Sequence, residues 1–202
     1  RELFYDKEFE KKLDTNRYLL CFKNGIVDFK EKRFRKGHPE DCISKCTQTD
    51  YVPLDTTVHA ILMEQIHDYF RKLFPIPELC DYVWNHLASV LIGDTAKTQC
   101  LHYWTGVGQN GKSMLITLIE MILGDYATQL DASFFVNERP TRGKATPELM
   151  CLIGARFAVT SEPSEGEKLN EGPMKQLTSG TDKITYRGLF KDQESFVPQS
   201  HC

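Results

Sequence analysis

Apolar positions change their period several times along this chain, and each change predicts an element. Tyr18, Leu19, Leu20, Cys21 and Phe22 form a short β-like run, Lys23-Asn24-Gly25 is a turn signal, and Ile26, Val27, Asp28 and Phe29 read as the returning strand. Asn-Gly takes positive φ readily, so the pattern predicts a β-hairpin. From 56 to 73 the apolar residues Val58, Ile61, Leu62, Ile66, Tyr69, Phe70 and Leu73 recur at helical spacing, and Pro75 and Pro77 end the helix. A second amphipathic helix is predicted over 78–92 through Leu79, Tyr82, Val83, Leu87, Val90 and Leu91, closed by Gly93.

Beyond residue 99 the pattern changes. Cys100 to Trp104 is a short, mostly apolar run that predicts a strand, a glycine-rich loop follows, and 114–123 has helical apolar spacing. Phe157 to Thr160 is strand-like, and 169–177 reads as a helix ended by Ser179-Gly180. The alternating run 183–190, a turn at 191–194 and the return at Ser195-Phe196-Val197 predict a second hairpin. Strand–loop–helix alternation in the second half gives an α/β class.

The glycine loop carries the chemistry. Gly106-Val107-Gly108-Gln109-Asn110-Gly111-Lys112-Ser113 matches G-x-x-x-x-G-K-[ST] without deviation. Glycines let the backbone turn so that successive N–H groups converge on phosphate oxygens, and the following helix offers its N-terminus to the anion. Lys112 is expected to reach the β- and γ-phosphates and Ser113 to ligate Mg²⁺. The strand and helix on either side give the motif the context it needs. The loop establishes a nucleotide site and leaves ATPase, kinase, GTPase and helicase open.

Hydrolysis also needs a carboxylate at the exit of a neighbouring strand. Glu162 is the candidate, following the 157–160 run, with Pro163 stopping the strand. Two acids are usual there, but Ser161 stands in the first position, so Glu162 is expected to serve both Mg²⁺ binding and activation of water. The hairpin after this strand carries Lys183, Arg187 and Lys191.

Composition narrows the setting. The chain of 202 residues is 41% hydrophobic and 26% charged, with a formal net charge of −3, so any nucleic-acid binding must be local. Seven scattered cysteines fit buried, reduced thiols better than a disulfide framework, and Cys100 is expected on a buried strand without a catalytic role. No apolar run approaches the ~20 residues of a membrane span. The opening does not read as a signal peptide, and an intracellular, reducing compartment follows as the expectation. Both ends read as cuts in a longer protein, the last five residues being a polar run.

Other features have two readings each. The basic run 30–36 reads first as an edge strand guarded by lysines and second as a nucleic-acid patch. His38, Cys42 and Cys46 lack the fourth ligand and close cysteine pairing of a zinc site. The basic stretch 139–144 is equally a solvated loop or a DNA or subunit contact, and Trp84 and Trp104 read as core.

Four stretches together resemble the superfamily-3 helicase portion of the primase–helicases of poxvirus-like large DNA viruses and some phages. They are residues 23–28, residues 105–113, Ala145-Thr146-Pro147-Glu148-Leu149, and Ser161-Glu162-Pro163 with 165–191. The last is the most specific, through Glu167-Lys168-Leu169-Asn170-Glu171 and Thr185-Tyr186-Arg187-Gly188-Leu189-Phe190-Lys191, and the likeness runs over 19–197. The resemblance implies a small α+β unit over 1–93 ahead of an AAA+-like α/β P-loop NTPase core over 94–202, acting as an ATP- and Mg²⁺-dependent DNA helicase in viral replication, at the host cytoplasm or a viral replication site. It implies a homo-hexameric ring in the full-length protein around single-stranded or forked DNA, with Lys191 near the hairpin tip and Arg187 beside it gripping phosphates in the channel. The family's polar sensor and arginine finger are expected beyond residue 202, and its primase region outside this chain. Two rival classes stay open. One is a P-loop phosphotransferase. The other is a truncated nucleotide- or DNA-binding remnant without turnover.

Overall fold

The computed structural model describes residues 8–106, 108–136, 146–162, 166–189 and 192–202. Val107, the basic stretch at 139–144, Glu165 and Lys191 therefore lie outside the described residues.

A short helix α1 (Phe9–Lys12) precedes a three-stranded antiparallel sheet of β1 (Leu19–Phe22), β2 (Gly25–Asp28) and β3 (Arg33–Arg35), in the order β1-β2-β3. The predicted hairpin forms with Phe22 opposite Gly25, leaving Lys23 and Asn24 as its two-residue loop. The basic run supplies the edge strand β3. Part of its charge is matched locally, Arg35 bonding Asp41 at 2.7 Å and Arg33 pairing with Glu31, while Lys30 lies 4.7 Å from the centre of the Tyr18 ring.

Two helices follow, α2 (Ala60–Leu73) and α3 (Pro77–Val90). α2 starts four residues later than predicted, because Asp55 caps a preceding turn by accepting from the amides of Thr57 and Val58. Its stripe divides by height. Phe70 is buried in the core, whereas Val58 and Ile61 at the other end remain 74% and 79% exposed. α3 opens on Pro77, whose fixed φ suits a first helical turn, and buries Cys80, Val83, His86 and Val90.

α4 (Lys112–Leu123) buries Leu115, Ile119 and Leu123, spaced as one helical face. It leads to β4 (Ala127–Leu130), which pairs in parallel with β5 (Phe157–Thr160). α5 (Ser133–Val136) and α6 (Glu171–Thr178) pack beside them, and β6 (Ile184–Arg187) and β7 (Gln193–Phe196) make the second predicted hairpin. The molecule is thus mixed α/β with small sheets. No described helix is long and apolar enough to cross a membrane.

Three expectations are corrected here. The 100–104 run forms no regular strand. Its ladder-type bond is His102 N–H to the Cys202 carbonyl at 2.8 Å. Cys100 is exposed, and of the seven free cysteines Cys80 alone is buried. Beyond these, the polar run 198–202 packs against β5. His201 forms a parallel bridge with Phe157, Ala158 N–H donates to the His201 carbonyl, and Gln199, Ser200 and His201 are buried. Buried backbone groups must be paired, and the bridge to β5 satisfies both those of His201, its N–H donating to the Arg156 carbonyl.

One apolar cluster draws Leu20, Phe70, Cys80, Val83 and Val90 together with Leu115, Ile119, Leu123, Tyr126 and Phe157. Residues on both sides of Gly93 therefore share a core. Trp84 and Trp104 pack against it, half-buried, as read from sequence. Polar pins reinforce the junction: the Tyr126 hydroxyl accepts from Cys21 N–H and donates to the Lys45 carbonyl, both at 3.1 Å.

Candidate functional site

The glycine loop ends where α4 begins. Gly111 caps the helix at φ 82°, a left-handed conformation that suits glycine, and a Cβ there would lie 2.9 Å from Leu73. The end of α2 thus backs the loop, and a side chain at 111 would push it away. Lys112, the first residue of the helix, folds its ammonium back across the loop. Nζ donates to Asn110 Oδ1 at 3.0 Å and to the Gly106 carbonyl at 3.3 Å. A cation and the N-terminus of a twelve-residue helix therefore point to one place, both favouring an anion. Gly106, Gly108, Gln109, Asn110 and Ser113 are exposed around it. Asn110, expected only as one of the loop's nucleotide-binding residues, has a more specific contact: its amide oxygen accepts from the Lys112 ammonium.

β5 runs between β4 on one side and residue 201 on the other, and the segment feeding the loop is bonded to residue 202. Glu162 leaves two residues past the end of β5 and is exposed. In parallel α/β sheets, ligands gather outside the carboxyl ends of the strands, which is where Glu162 stands. Sequence order alone separates Glu162 from Lys112 by fifty positions; the ladder brings their parent segments to within one intervening segment.

The hairpin β6–β7 pairs Ile184 with Phe196 at one end and Arg187 with Gln193 at the other, the innermost pair. Alternation buries Ile184 and Tyr186 and exposes Lys183, Thr185 and Arg187 on the other face. The hairpin is held at its innermost pair by Thr146, whose N–H donates to the Arg187 carbonyl at 2.8 Å and whose hydroxyl accepts from Arg187 N–H at 3.1 Å. The short Thr-Pro-Glu-Leu stretch picked out in the sequence is therefore the hairpin's anchor.

A second layer of polar side chains went unread. His86 and His102 stack with ring centres 3.8 Å apart, His201 meets His86 at 5.8 Å, and the Tyr82 hydroxyl lies 2.8 Å from His102 Nε2. Burial pushes the His86 pKa down to about 3 and lowers that of His201 as well. This layer ties α3 to the segment just before the loop. Arg156, at the entry to β5, is 2% exposed and donates to the carbonyls of Leu19 at 2.9 Å, Leu91 at 3.4 Å and Arg17. Nothing in an isolated arginine beside an apolar run signals such burial. Among the described residues no group of three or more His, Cys, Asp or Glu side chains could hold a metal ion by themselves.

A family model described as "D5 N terminal like" matches residues 6–75. A protein of Acanthamoeba polyphaga mimivirus, named as a candidate helicase, is 35% identical over 198 residues, covering 98% of this chain and 20% of its own. One from Invertebrate iridescent virus 6, also named as a candidate helicase, is 32% identical over 179 residues, covering 88% of this chain and 18% of its own. One from African swine fever virus, named as a candidate primase, is 32% identical over 201 residues, covering 96% and 20%. The chain spans about a fifth of the length of these curated relatives.

Proposed function

Because this chain belongs to the D5-like primase–helicase family of large DNA viruses, we propose that it is the nucleotide-hydrolysing motor core of a helicase that moves along DNA during viral replication. The observation that carries this reading is the convergence at the glycine loop: the Lys112 ammonium held across the loop by Asn110 and Gly106, at the N-terminus of α4. That donor set fits a nucleoside triphosphate. Lys112 would bind the β- and γ-phosphates, exchanging its loop oxygens for phosphate oxygens, and the loop amides would cradle the remaining charge. Ser113 and Glu162 would hold Mg²⁺, which when bound would neutralise charge developing on the phosphates. Glu162, exposed at the exit of β5, would orient and deprotonate the attacking water. Arg187 and Lys183, with Lys191, would contact the DNA phosphates without reading sequence, in a binding mode weakened by salt. A homo-hexameric ring of the full-length protein around single-stranded or forked DNA is part of the proposal.

The test is hydrolysis of ATP with Mg²⁺, with and without single-stranded DNA, beside Lys112→Ala. DNA-stimulated phosphate release that Lys112→Ala abolishes is the expected outcome. ATP binding that depends on Lys112 without turnover would overturn the motor reading for this chain. Phosphate transfer to a small-molecule acceptor would replace it with a phosphotransferase.

A further inference from the structure

Between α2 and α3 lies an open groove of about 460 Å³, lined by His67, Arg71, Cys80, Asp81, Trp84 and Asn85. Its size falls within the ~300–1,000 Å³ of small-ligand sites. None of these residues belongs to the phosphate loop. Residues four apart share a helix face, so two pairs confront each other across the groove. α2 presents His67 and Arg71; α3 presents Asp81 and Asn85. Cys80 is buried between them, and Trp84 is half-buried. The indole stacks on Phe70 with ring centres 4.1 Å apart and planes 27° from parallel, and His67 meets it edge-on at 5.6 Å. Phe70 is a core residue, so the indole is fixed from one side while still lining the groove.

The polar groups divide by role. Asp81 is acceptor-only when ionised, and Asn85 offers both an acceptor and donors. Among the described residues neither makes a side-chain hydrogen bond or ion pair. Arg71 pairs with Glu64, but both side chains are more than half exposed, so the pair is screened by solvent and an anion can compete for the guanidinium. A complete ligand must bring a flat ring for Trp84, N–H donors for Asp81 and an anion for Arg71. An apolar ligand would leave Asp81 and Arg71 unmatched. A nucleotide whose base carries an exocyclic amine supplies all three.

We infer that this groove is a second nucleotide site, holding one unit with its base on Trp84, its amino edge at Asp81 and Asn85, and its phosphate at Arg71. The site is separate from the proposed ATP site and does not depend on hydrolysis. Its nucleotide is either free or part of a single strand.

Tryptophan emission of the full chain is titrated with deoxyadenylate and, separately, with a short single-stranded oligodeoxyadenylate. The site predicts saturable quenching, weakened about tenfold by Arg71→Ala or Asp81→Ala, a loss equal to roughly one charge-assisted hydrogen bond. Both substitutions are at exposed positions, and circular dichroism checks that the fold is kept. Trp84→Phe removes the quench and assigns it to Trp84 rather than Trp104. Quenching by the mononucleotide identifies a free-nucleotide site; quenching by the oligonucleotide alone identifies a strand contact. Lys112→Ala leaves either signal intact, so loss of the motor activity and loss of this site are read separately. Absence of quenching with both probes overturns the inference. So does quenching undiminished in Arg71→Ala and Asp81→Ala.

Discussion

Replacing Arg156 tests whether a buried cation without a counter-charge can still hold two parts of a fold together. Among the described residues no carboxylate pairs with it, and its Nε has no partner. Burial lowers its pKa from 12.5 to about 10. At roughly 1.4 kcal/mol per unit, keeping it charged costs about 3 kcal/mol. Against this stand three hydrogen bonds to the carbonyls of Arg17, Leu19 and Leu91, from β1, the residues before it, and the end of α3. Bonds from a charged donor contribute about 1.5–3 kcal/mol each, or about 5–9 kcal/mol together, so the bonds win. Arg156→Ala and Arg156→Met should each destabilise the chain by about 3 kcal/mol, since both remove the guanidinium from the carbonyls of Leu19, Leu91 and Arg17, the last of which keeps only the Gly93 N–H. For a chain of this size that lowers the melting temperature by about 6–12 °C. Thermal and urea unfolding followed by circular dichroism gives the value. Buried ionic groups in some proteins are replaced by apolar residues with a gain in stability. If Arg156→Met is as stable as the parent chain or more so, desolvation outweighs the bonds and the reasoning fails.

Three further outcomes follow from the geometry. Burial holds the pKa of His86, to about 3, and that of His201 below the unfolded value near 6.5, so protonation favours the unfolded chain. Stability should be whole above about pH 7 and fall as pH drops from about 6.5 toward 3, by about 2 kcal/mol at pH ~5 from His86 alone, and urea midpoints in His86→Phe should show a flatter profile. Gly180→Ala should cost at least about 2 kcal/mol, because φ is 67° and the new Cβ would lie 2.2 Å from the Ala96 backbone nitrogen, and an unchanged melting temperature would contradict this. Removing Lys183 and Arg187 together should weaken single-stranded DNA binding and reduce the slope of log affinity against log salt by about 1.4, measured by anisotropy at several salt concentrations.

What the sequence determined is local. The hairpin at 19–28, the helices, the phosphate loop and the alternation of 184–187 rest on period, turn chemistry and a motif whose spacing carries its own mechanism, and neighbouring residues suffice to specify them. The position of Glu162 at the exit of β5 was legible for the same reason: an apolar β run, an acid, then proline. Tertiary structure decided whatever depends on who lies next door. The run 100–104 lacked a strand's regular ladder, and Cys100 came out exposed. The polar segment 198–202 became buried because β5 supplies partners for its backbone, a fact no side-chain pattern encodes. Arg156 went inside because three carbonyls from distant segments happen to face it, and Asn110 gained its role only once the loop closed and brought Lys112 back over it. The groove at Trp84 exists because α2 and α3 turn two pairs of polar residues toward each other, each of which reads alone as an ordinary solvated helix face.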